Sequence, residues 1–394
     1  MKLQTFQLGD LVRTISYRGH QTNQSGFRES GKFPIIDQGQ TEIAGFTDDV
    51  PPITSDLPIV IFGDHTRLVK YASSPFVVGA DGVKLIKSVH PEISDRLLYW
   101  LIAAVAARIP SVGYGRHFTG LCDLSVTVDA RPERRLLLVD ALDKCEAAMK
   151  TADAIIAAKR EQKRGLMQQL LTGKVRFPGF TEPWRMVHLG DFVELDRGVS
   201  YARETDLRAP GSAGCVRLLR ATNVQDGQIV LSDVHHIDAR RSSSSDLLTA
   251  GDLIICIANG SKHLVGKHAI ATSEVCIEPT VVGAFCARAR PRARVRPAFV
   301  AALMESHAYR RWIGALLAGT NINNLKPNDI ASAPLRVPTS WPEIERITRT
   351  YEVANREIRI LETQREAFAT QRRGLMERLL SGEIDIPSSD TSAA

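Results

Sequence analysis

Lys163-Arg-Gly-Leu-Met-Gln-Gln-Leu-Leu-Thr-Gly-Lys174 returns 209 positions later as Arg372-Arg-Gly-Leu-Met-Glu-Arg-Leu-Leu-Ser-Gly-Glu383, and this pair of segments decides how the chain is read. An internal repeat outranks local motifs, because missing it mis-assigns the whole architecture. Two copies at so long a period describe a duplicated two-domain chain, not a solenoid. Such a chain suits a ligand that itself comes in two halves. Both segments have the composition of a helix end, with Gly173 and Gly382 as stops and Pro178 and Pro387 a few residues later.

The pattern extends upstream of the identity. Apolar or small residues fall at Leu138, Leu142, Cys145, Met149, Ala152 and Ile156, and resume after Lys159 and Lys163 at Leu166 and Leu170. The same shift lands on Ile347, Tyr351, Ala354, Ile358, Leu361, Arg365, Phe368, Arg372, Leu375 and Leu379. Spacing that alternates four and three is the seam that two long helices need to pack as a coiled coil. Arg365 answers Ile156 and Phe368 answers Lys159, defects that need not face each other if the helices run antiparallel. Each helix of about 40 residues would be a rod of roughly 60 Å, comparable to about 17 base pairs of duplex. Ser340-Trp-Pro-Glu343 reads as an N-cap with a capping-box glutamate. Gly165 and Gly374 lie inside the helical pattern, which predicts either a close backbone approach or else a kink or an early helix end.

The expected organisation is a globular unit at 1–131, a long helix at 132–173, a linker at 174–183, a second unit at 184–340, a second long helix at 341–382 and a tail at 383–394. The chain of 394 residues is comfortable for two domains plus connections. The units open alike, Leu8-Gly-Asp10 answering Leu189-Gly-Asp191, and then diverge. In the first, Leu57–Gly63, Phe76–Gly79 and Val83–Lys87 read as strands and Asp95–Arg108 as a helix. In the second, Gly251–Gly260 and Val281–Cys286 read as strands, followed by a helix over Phe299–Leu317. Both units are therefore mixed α/β.

Net charge is +6, which permits a polyanionic partner without demanding one. Arg288, Arg290, Arg292, Arg294 and Arg296 alternate, so a strand would line them on one side as a phosphate row. Pro291 and Pro297 make a solvated loop or edge the competing reading. The six cysteines form no CxxC and sit among apolar neighbours, as reduced core thiols do. The first ten residues lack the pattern of a secretory signal, and no apolar run approaches 18 residues. A cytoplasmic protein with no membrane contact is the expectation.

Each unit also carries polar loops whose residue types read base edges. Asn and Gln pair with adenine, Arg and Lys with guanine, and glycine lets backbone approach phosphate. The candidates for DNA contact are His65, Thr66, Arg67, Arg116 and His117 in the first unit. In the second they are Asn259, Ser261, Lys262, His263, Asn321, Asn323, Asn324 and Lys326. Turns are rich in such residues whatever they bind, so a plain surface role stands beside this one. No catalytic constellation is present: Gly260–Lys267 has the wrong glycine spacing for a phosphate loop, and His235-His236 lacks a third ligand. GxGxxG, HExxH, GxSxG and the (Asn/Asp)-Pro-Pro-aromatic motif of adenine methyltransferases are missing too.

Two divergent units, each followed by a similar helix ending in Gly-Leu-Met-x-x-Leu-Leu-(Thr/Ser)-Gly, resemble the specificity subunit of type I restriction–modification systems. Ile61-Phe-Gly-Asp-His-Thr-Arg67 with Val77-Val-Gly-Ala-Asp-Gly-Val83, and Gly251–Ser261, look like target-recognition segments of that family. The second helix end departs from it, with Glu383 and Asp385 where the first copy has Lys174 and Arg176. The resemblance implies two α/β recognition domains joined by two long antiparallel coiled-coil helices with pseudo-twofold symmetry. It implies that each domain reads half of a bipartite, asymmetric double-stranded DNA site and that the helices set the spacer. By the same resemblance the chain is not an enzyme and binds no metal or cofactor. Two methyltransferase subunits would use S-adenosylmethionine to methylate adenine N6, and two motor-nuclease subunits would use ATP and magnesium. A coiled-coil adaptor for protein partners and a recognition module of a fused modification–restriction enzyme are the rival readings.

Overall fold

The structure, a computed structural model, describes residues 3–79, 82–110, 115–318 and 324–381, apart from the side chains of 379 and 380. The chain divides into two compact units, 1–154 with 363–394, and 155–362. Each long helix therefore contributes to both.

In the first unit, β1 (Leu3–Gln7) pairs antiparallel with β10 (Ser125–Asp129), and the turn α1 (Leu8–Leu11) leads into β2 (Val12–Ile15). Short strands β3 (Gln21–Thr22), β4 (Phe33–Ile36), β5 (Gly45–Thr47) and β8 (Val77–Gly79) form one sheet in the order β3-β8-β4-β5. The other sheet is antiparallel, in the order β2-β9-β6-β7, with β6 (Ile59–Gly63), β7 (Val69–Ala72) and β9 (Val83–Ser88). Every residue of β6 is buried, as its uninterrupted Ile-Val-Ile-Phe requires of a strand covered on both faces. Helix α2 (Asp95–Val105) covers this sheet, and the Ser94 hydroxyl caps it by accepting from the Leu97 N–H at 3.2 Å. A 3-10 turn (Ala106–Arg108) extends it, and α3 (Phe118–Cys122) precedes β10.

Helix α4 (Pro132–Leu171) follows with proline at its first position. It ends in the left-handed glycine the sequence predicts. Gly173 has φ +68°, its N–H reaches Leu170 O at 3.2 Å, and the Val175 N–H reaches back to Gln169 O at 3.4 Å.

The second unit repeats the broad scheme with different trimmings. Strand β11 (Arg185–His188) pairs with β21 (Pro334–Val337), and a 3-10 turn at Leu189–Asp191 leads into β12 (Val193–Arg197). After the turn α5 (Arg203–Asp206), β13 (Cys215–Leu219) is flanked by β16 (His235–Asp238) and β19 (Thr280–Val282), while β14 (Val224–Gln225) and β15 (Gln228–Ile229) make a small hairpin. The antiparallel sheet has the order β12-β20-β17-β18, with β17 (Leu253–Cys256), β18 (His268–Ile270) and β20 (Cys286–Pro291). Helices α6 (Pro297–Glu305), α7 (His307–Ala318) and α8 (Pro327–Ala331) precede β21 and the long α9 (Trp341–Ser381).

Several expectations are corrected here. The single helix over 299–317 is two, because the Ser306 hydroxyl accepts from the Tyr309 N–H and starts a new helix there. The run 281–286 is two strands in different sheets, since the chain turns at Gly283, where the Cys286 N–H donates to Gly283 O at 2.8 Å. Glu343 does not serve a capping box. Its carboxylate, 1% exposed, accepts two hydrogen bonds from Arg176, both 2.8 Å.

Four of the five alternating arginines are taken up by carboxylates and do not form a phosphate row. Arg288 and Arg290 lie on a central strand and pair with Asp196 and Asp252, Arg292 pairs with Glu194, and Arg296 with Glu345 and Glu352. A buried strand cannot present bare guanidinium groups, so carboxylates meet them.

Within each unit the segments of α4 and α9 pack antiparallel. In the second unit Lys159 meets Glu357 at 2.7 Å and Lys163 meets Asn355 at 2.8 Å, while Met167 and Leu170 share a core with Ile344, Ile347 and Tyr351. In the first, Asp153 meets Arg365 at 2.9 Å, and Leu138 and Leu142 share a core with Leu375 and Met376. The polar defects at Lys159 and Arg365 are thus each neutralised from the other helix. Leu138, Leu142, Met149, Ile156, Leu170, Ile347, Tyr351 and Ile358 are buried, and Leu361 and Leu375 half-buried.

Two seam positions are corrected. Leu166 and Phe368 are 38% and 44% exposed, and the inward places fall to Met167 and Ala369. A helix of 3.6 residues per turn drifts against a strict 3.5 repeat, which moves the buried stripe on by one residue. The Leu379 side chain is outside the described residues. Gly165 and Gly374 sit in unbroken helix, and a methyl group added at either meets nothing within 4 Å. Neither a kink nor a close approach within the chain accounts for them.

Candidate nucleic-acid interface

The predicted loop residues of the first unit converge at the end of β6. Asp64 is the hub, only 2% exposed. Its N–H donates to Gly82 O (2.7 Å), its carbonyl accepts from the His117 N–H (2.9 Å) and its carboxylate accepts from the Phe118 N–H (2.8 Å). The 63–67 loop and the 115–118 segment are therefore held together by a buried acid. His65 donates its N–H to Gln38 Oε1 (3.1 Å) and places its ring Nδ1 3.3 Å from Gly115 O. The Thr66 hydroxyl donates to Gln38 O at 2.8 Å.

A third loop, around residues 37–41, thus joins the group. Beneath it Lys70 donates to the carbonyls of Asp37 (2.7 Å) and Thr41 (2.6 Å). Burial pulls this ammonium below the usual 10.5, with Asp37 opposing the shift.

Two predicted contacts change role. Arg67 stands at φ +60° and its guanidinium donates to Ile109 O at 2.5 Å, so it ties the loop to the end of the helical layer. His117 is 2% exposed, because the hub that brings its backbone in also takes its ring under the surface. His65, Thr66 and Arg116 remain at or near the surface.

In the second unit the predicted residues gather at the corresponding strand end, after β17. The Asn259 side chain accepts from the Ser261 N–H (3.0 Å), and residues 262–264 form a 3-10 turn, which leaves Ser261, Lys262 and His263 exposed. The Lys262 ammonium reaches Leu317 O at 3.3 Å. Asn324 forms a bridge with Ala258 and accepts from the Arg197 guanidinium at 3.0 Å, and the Leu325 N–H donates to Ile257 O at 2.9 Å. Lys326 begins α8 with its N–H on Asp329 (2.8 Å) and its side chain exposed. Asn321 and Asn323 lie outside the described residues.

Sequence reasoning missed Gln38 and Arg197, and gave Asp64 only as part of the Ile61–Arg67 segment. Gln38 could have been found in the turn-rich Asp37-Gln-Gly-Gln40; nothing local marks Arg197 as a partner of Asn324. Among the described residues, no group of three His, Cys, Asp or Glu side chains could hold a metal ion, and no helix is long and apolar enough to cross a membrane.

A mixed α/β chain with two long antiparallel-packed helices and a polar loop cluster in each unit defines an architecture with known examples. It is the fold of a type I restriction–modification S subunit from M. genitalium, matched with a TM-score of 0.59 over 98% of this chain and 97% of that one at 13% identity. In sequence the chain is similar to the StySPI type I restriction enzyme specificity subunit of Salmonella potsdam, 30% identical over 158 residues. It is likewise similar to the EcoKI specificity subunit of Escherichia coli K12, 31% identical over 156 residues. Those matches cover 40% and 39% of this chain and 33% of each relative, so the chain spans about a third of the length of the curated relatives it matches. No family model matches the sequence.

Proposed function

We propose that the chain is the DNA-specificity subunit of a type I restriction–modification complex, formed by duplication of one module. Each recognition domain reads one half of a bipartite, asymmetric duplex site through its loop cluster: His65, Thr66 and Arg116 with Gln38 in one, Asn259, Ser261, Lys262, His263, Asn324 and Lys326 in the other. The observation that carries this reading is the double likeness to specificity subunits, in sequence over part of the chain and in fold over nearly all of it. Two exposed clusters of hydrogen-bonding and cationic side chains support it, because direct readout needs donors and acceptors at base edges.

The long helices set the distance between half-sites and carry two methyltransferase subunits, which methylate adenine N6 with S-adenosylmethionine. Two motor-nuclease subunits add ATP- and magnesium-dependent restriction. This chain supplies recognition and no catalytic group, and it works in the cytoplasm. Reading three or four base pairs per module yields only a few kcal/mol of discrimination, at about 1–3 kcal/mol per well-read pair. Tethering two modules combines those energies.

Long-read methylome sequencing of the host with and without the gene tests the proposal. Loss of N6-methyladenine at one gapped, two-part motif on deletion is the expected result. An unchanged methylome in a host that expresses the chain and its methyltransferase would overturn it.

A further inference from the structure

Both units carry Val-Val-Gly-Ala, at 77–80 and 281–284, just ahead of the strands β9 and β20. The hydrogen bonds at this place are equivalent. In the first unit Gly63 pairs with Val83 and the Asp64 N–H donates to Gly82 O at 2.7 Å. In the second, Cys256 pairs with Cys286 and the Ile257 N–H donates to Phe285 O at 2.9 Å. Gly82 and Phe285 therefore hold the same position, and so do His65 and Ala258 one residue past the donor.

The two units fill this pair of positions in opposite ways. In the first, a ring overhangs a glycine: a Cβ built on Gly82 would lie 2.6 Å from His65 Cδ2 and 2.7 Å from Gln38 Nε2. In the second, the loop residue is an alanine and the ring comes from Phe285, which is 68% exposed. Each unit carries one ring on this pair of positions, a hydrogen-bonding imidazole in the first and an apolar phenyl in the second.

The backbone of Phe285 is anchored on both sides. Its carbonyl accepts from two N–H groups, Ile257 at 2.9 Å and Ala258 at 3.2 Å. The turn behind it packs so closely on Gly198 that a Cβ there would be 2.4 Å from the carbonyls of Val282 and Gly283. Its backbone neighbour Ala258 is bridged to Asn324, itself bonded by Arg197. An exposed apolar ring on a backbone fixed beside Asn324 and its Arg197 partner matches a surface that is anionic and polar with isolated apolar points. The 5-methyl of thymine is such a point in the major groove of duplex DNA.

We propose that Phe285 is a specificity-determining residue whose ring packs against the 5-methyl group of a thymine in the half-site read by the second unit. This rests on the reading of the chain as a DNA-specificity subunit. The test uses the full chain assembled with its methyltransferase, titrated by fluorescence anisotropy on a duplex carrying the motif found in the methylome. Each thymine of both half-sites is replaced singly by deoxyuridine, which lacks only the methyl. One replacement should weaken binding of the natural protein about five- to tenfold. Phe285→Ala should bind the natural duplex about that much more weakly and be indifferent to the same replacement, with Phe285→Leu in between.

Indifference of the natural protein to every deoxyuridine, or undiminished sensitivity in Phe285→Ala, would overturn the proposal. So would loss of the methyltransferase from the Phe285→Ala complex, which would assign the ring to a protein contact. A natural complex with no sequence preference at all would instead remove the underlying reading, and the proposal with it. Because the ring is mostly exposed, Phe285→Ala is expected to keep the thermal midpoint of the natural chain.

Discussion

The two units join their long helices with the same charge pattern but different burial. In the first, the Arg96 guanidinium lies 4.5, 4.7 and 5.3 Å from the ring centres of Tyr71, Tyr99 and Trp100. It donates to Asp143 (2.7 Å) and Glu146 (2.6 Å) on α4, while the Trp100 indole N–H also reaches Asp143 (2.9 Å) and the Tyr99 hydroxyl reaches Glu146 (3.0 Å). In the second, Arg296 donates to Glu345 and, at 2.6 Å, to Glu352 on α9. Beside it Glu305 accepts from the Tyr351 hydroxyl at 2.6 Å and pairs with Lys163 at 2.7 Å.

Asp143 and Glu352 are 209 positions apart, as are Lys163 and Arg372, so the repeat period keeps a carboxylate and a cation at matching helix positions. What differs is the solvent: the Arg96 side chain is 21% exposed and Arg296 40%. A repeated charge pattern therefore does not imply a repeated energetic role. Aromatic neighbours and lower exposure make the Arg96 pairs stronger than the Arg296 pairs, since a shielded ion pair is screened less and loses more when one partner is removed.

The comparison is sharpest where one partner is deleted. Arg96→Met is expected to lower the stability of the first unit by about 2–3 kcal/mol, because two carboxylates and two ring hydroxyl or indole donors lose their shared centre. Arg296→Met should cost the second unit under about 1 kcal/mol. Hydrogen exchange of β6 and β9 against β17 and β20 reads the units separately. Equal losses would mean that exposure does not grade these joints.

A second difference is acid sensitivity. Burial holds the His268 imidazole down at about 4, with Arg310 and Lys163 working in the same direction and Glu305 against it. Its folded value lies below the unfolded one of about 6.5, so the unfolded chain takes the proton first. The resulting stability is complete above about pH 6.5 and is lost as pH falls toward 4. By pH 5 the second unit should have lost about 2 kcal/mol from this group. His268→Gln should remove that slope from β17 and β18 exchange, and β6 and β9 should not follow it. A slope that survives the substitution would assign it to another group.

The smallest effect tests equivalence itself. Gly165→Ala and Gly374→Ala each place a methyl group in open space on an intact helix. Each should stabilise the chain by about 0.5–1 kcal/mol, through the lost freedom of glycine in the unfolded state. Unequal gains in thermal midpoint would show that the two helix positions differ despite their shared Arg-Gly-Leu-Met context.

Legibility followed how local the signal was. Helix α4 and its glycine stop were readable because periodicity and a left-handed glycine are properties of short stretches. The buried strand β6 was readable because a run of Ile-Val-Ile-Phe has few other places to go. The helix break at Ser306 was not, because it depends on one hydroxyl capping one N–H in competition with helix continuation. Nor was the fate of Arg288 and Arg290, since their partners Asp196 and Asp252 lie 92 and 38 residues away in sequence. In the candidate site, composition singled out the 63–67 and 115–118 segments, which the bonds of Asp64 bring together. That His117 turns inward and Arg67 becomes a tie was decided by Asp64 and Ile109, which composition does not single out.

By itself the amino-acid order determined a twofold internal repeat, two long helices with an apolar seam, two α/β units and the resemblance these carry. Such features are periodic or local, and each residue contributes to them whatever lies across space. Only the tertiary structure decided which seam residue points inward at Met167 and Ala369, which arginines are spent on carboxylates, and which ring each unit shows at the position shared by Gly82 and Phe285. Those outcomes are set by hydrogen bonds and packing between residues remote in sequence, where a single partner fixes whether a side chain is buried, tied or left free to meet a ligand.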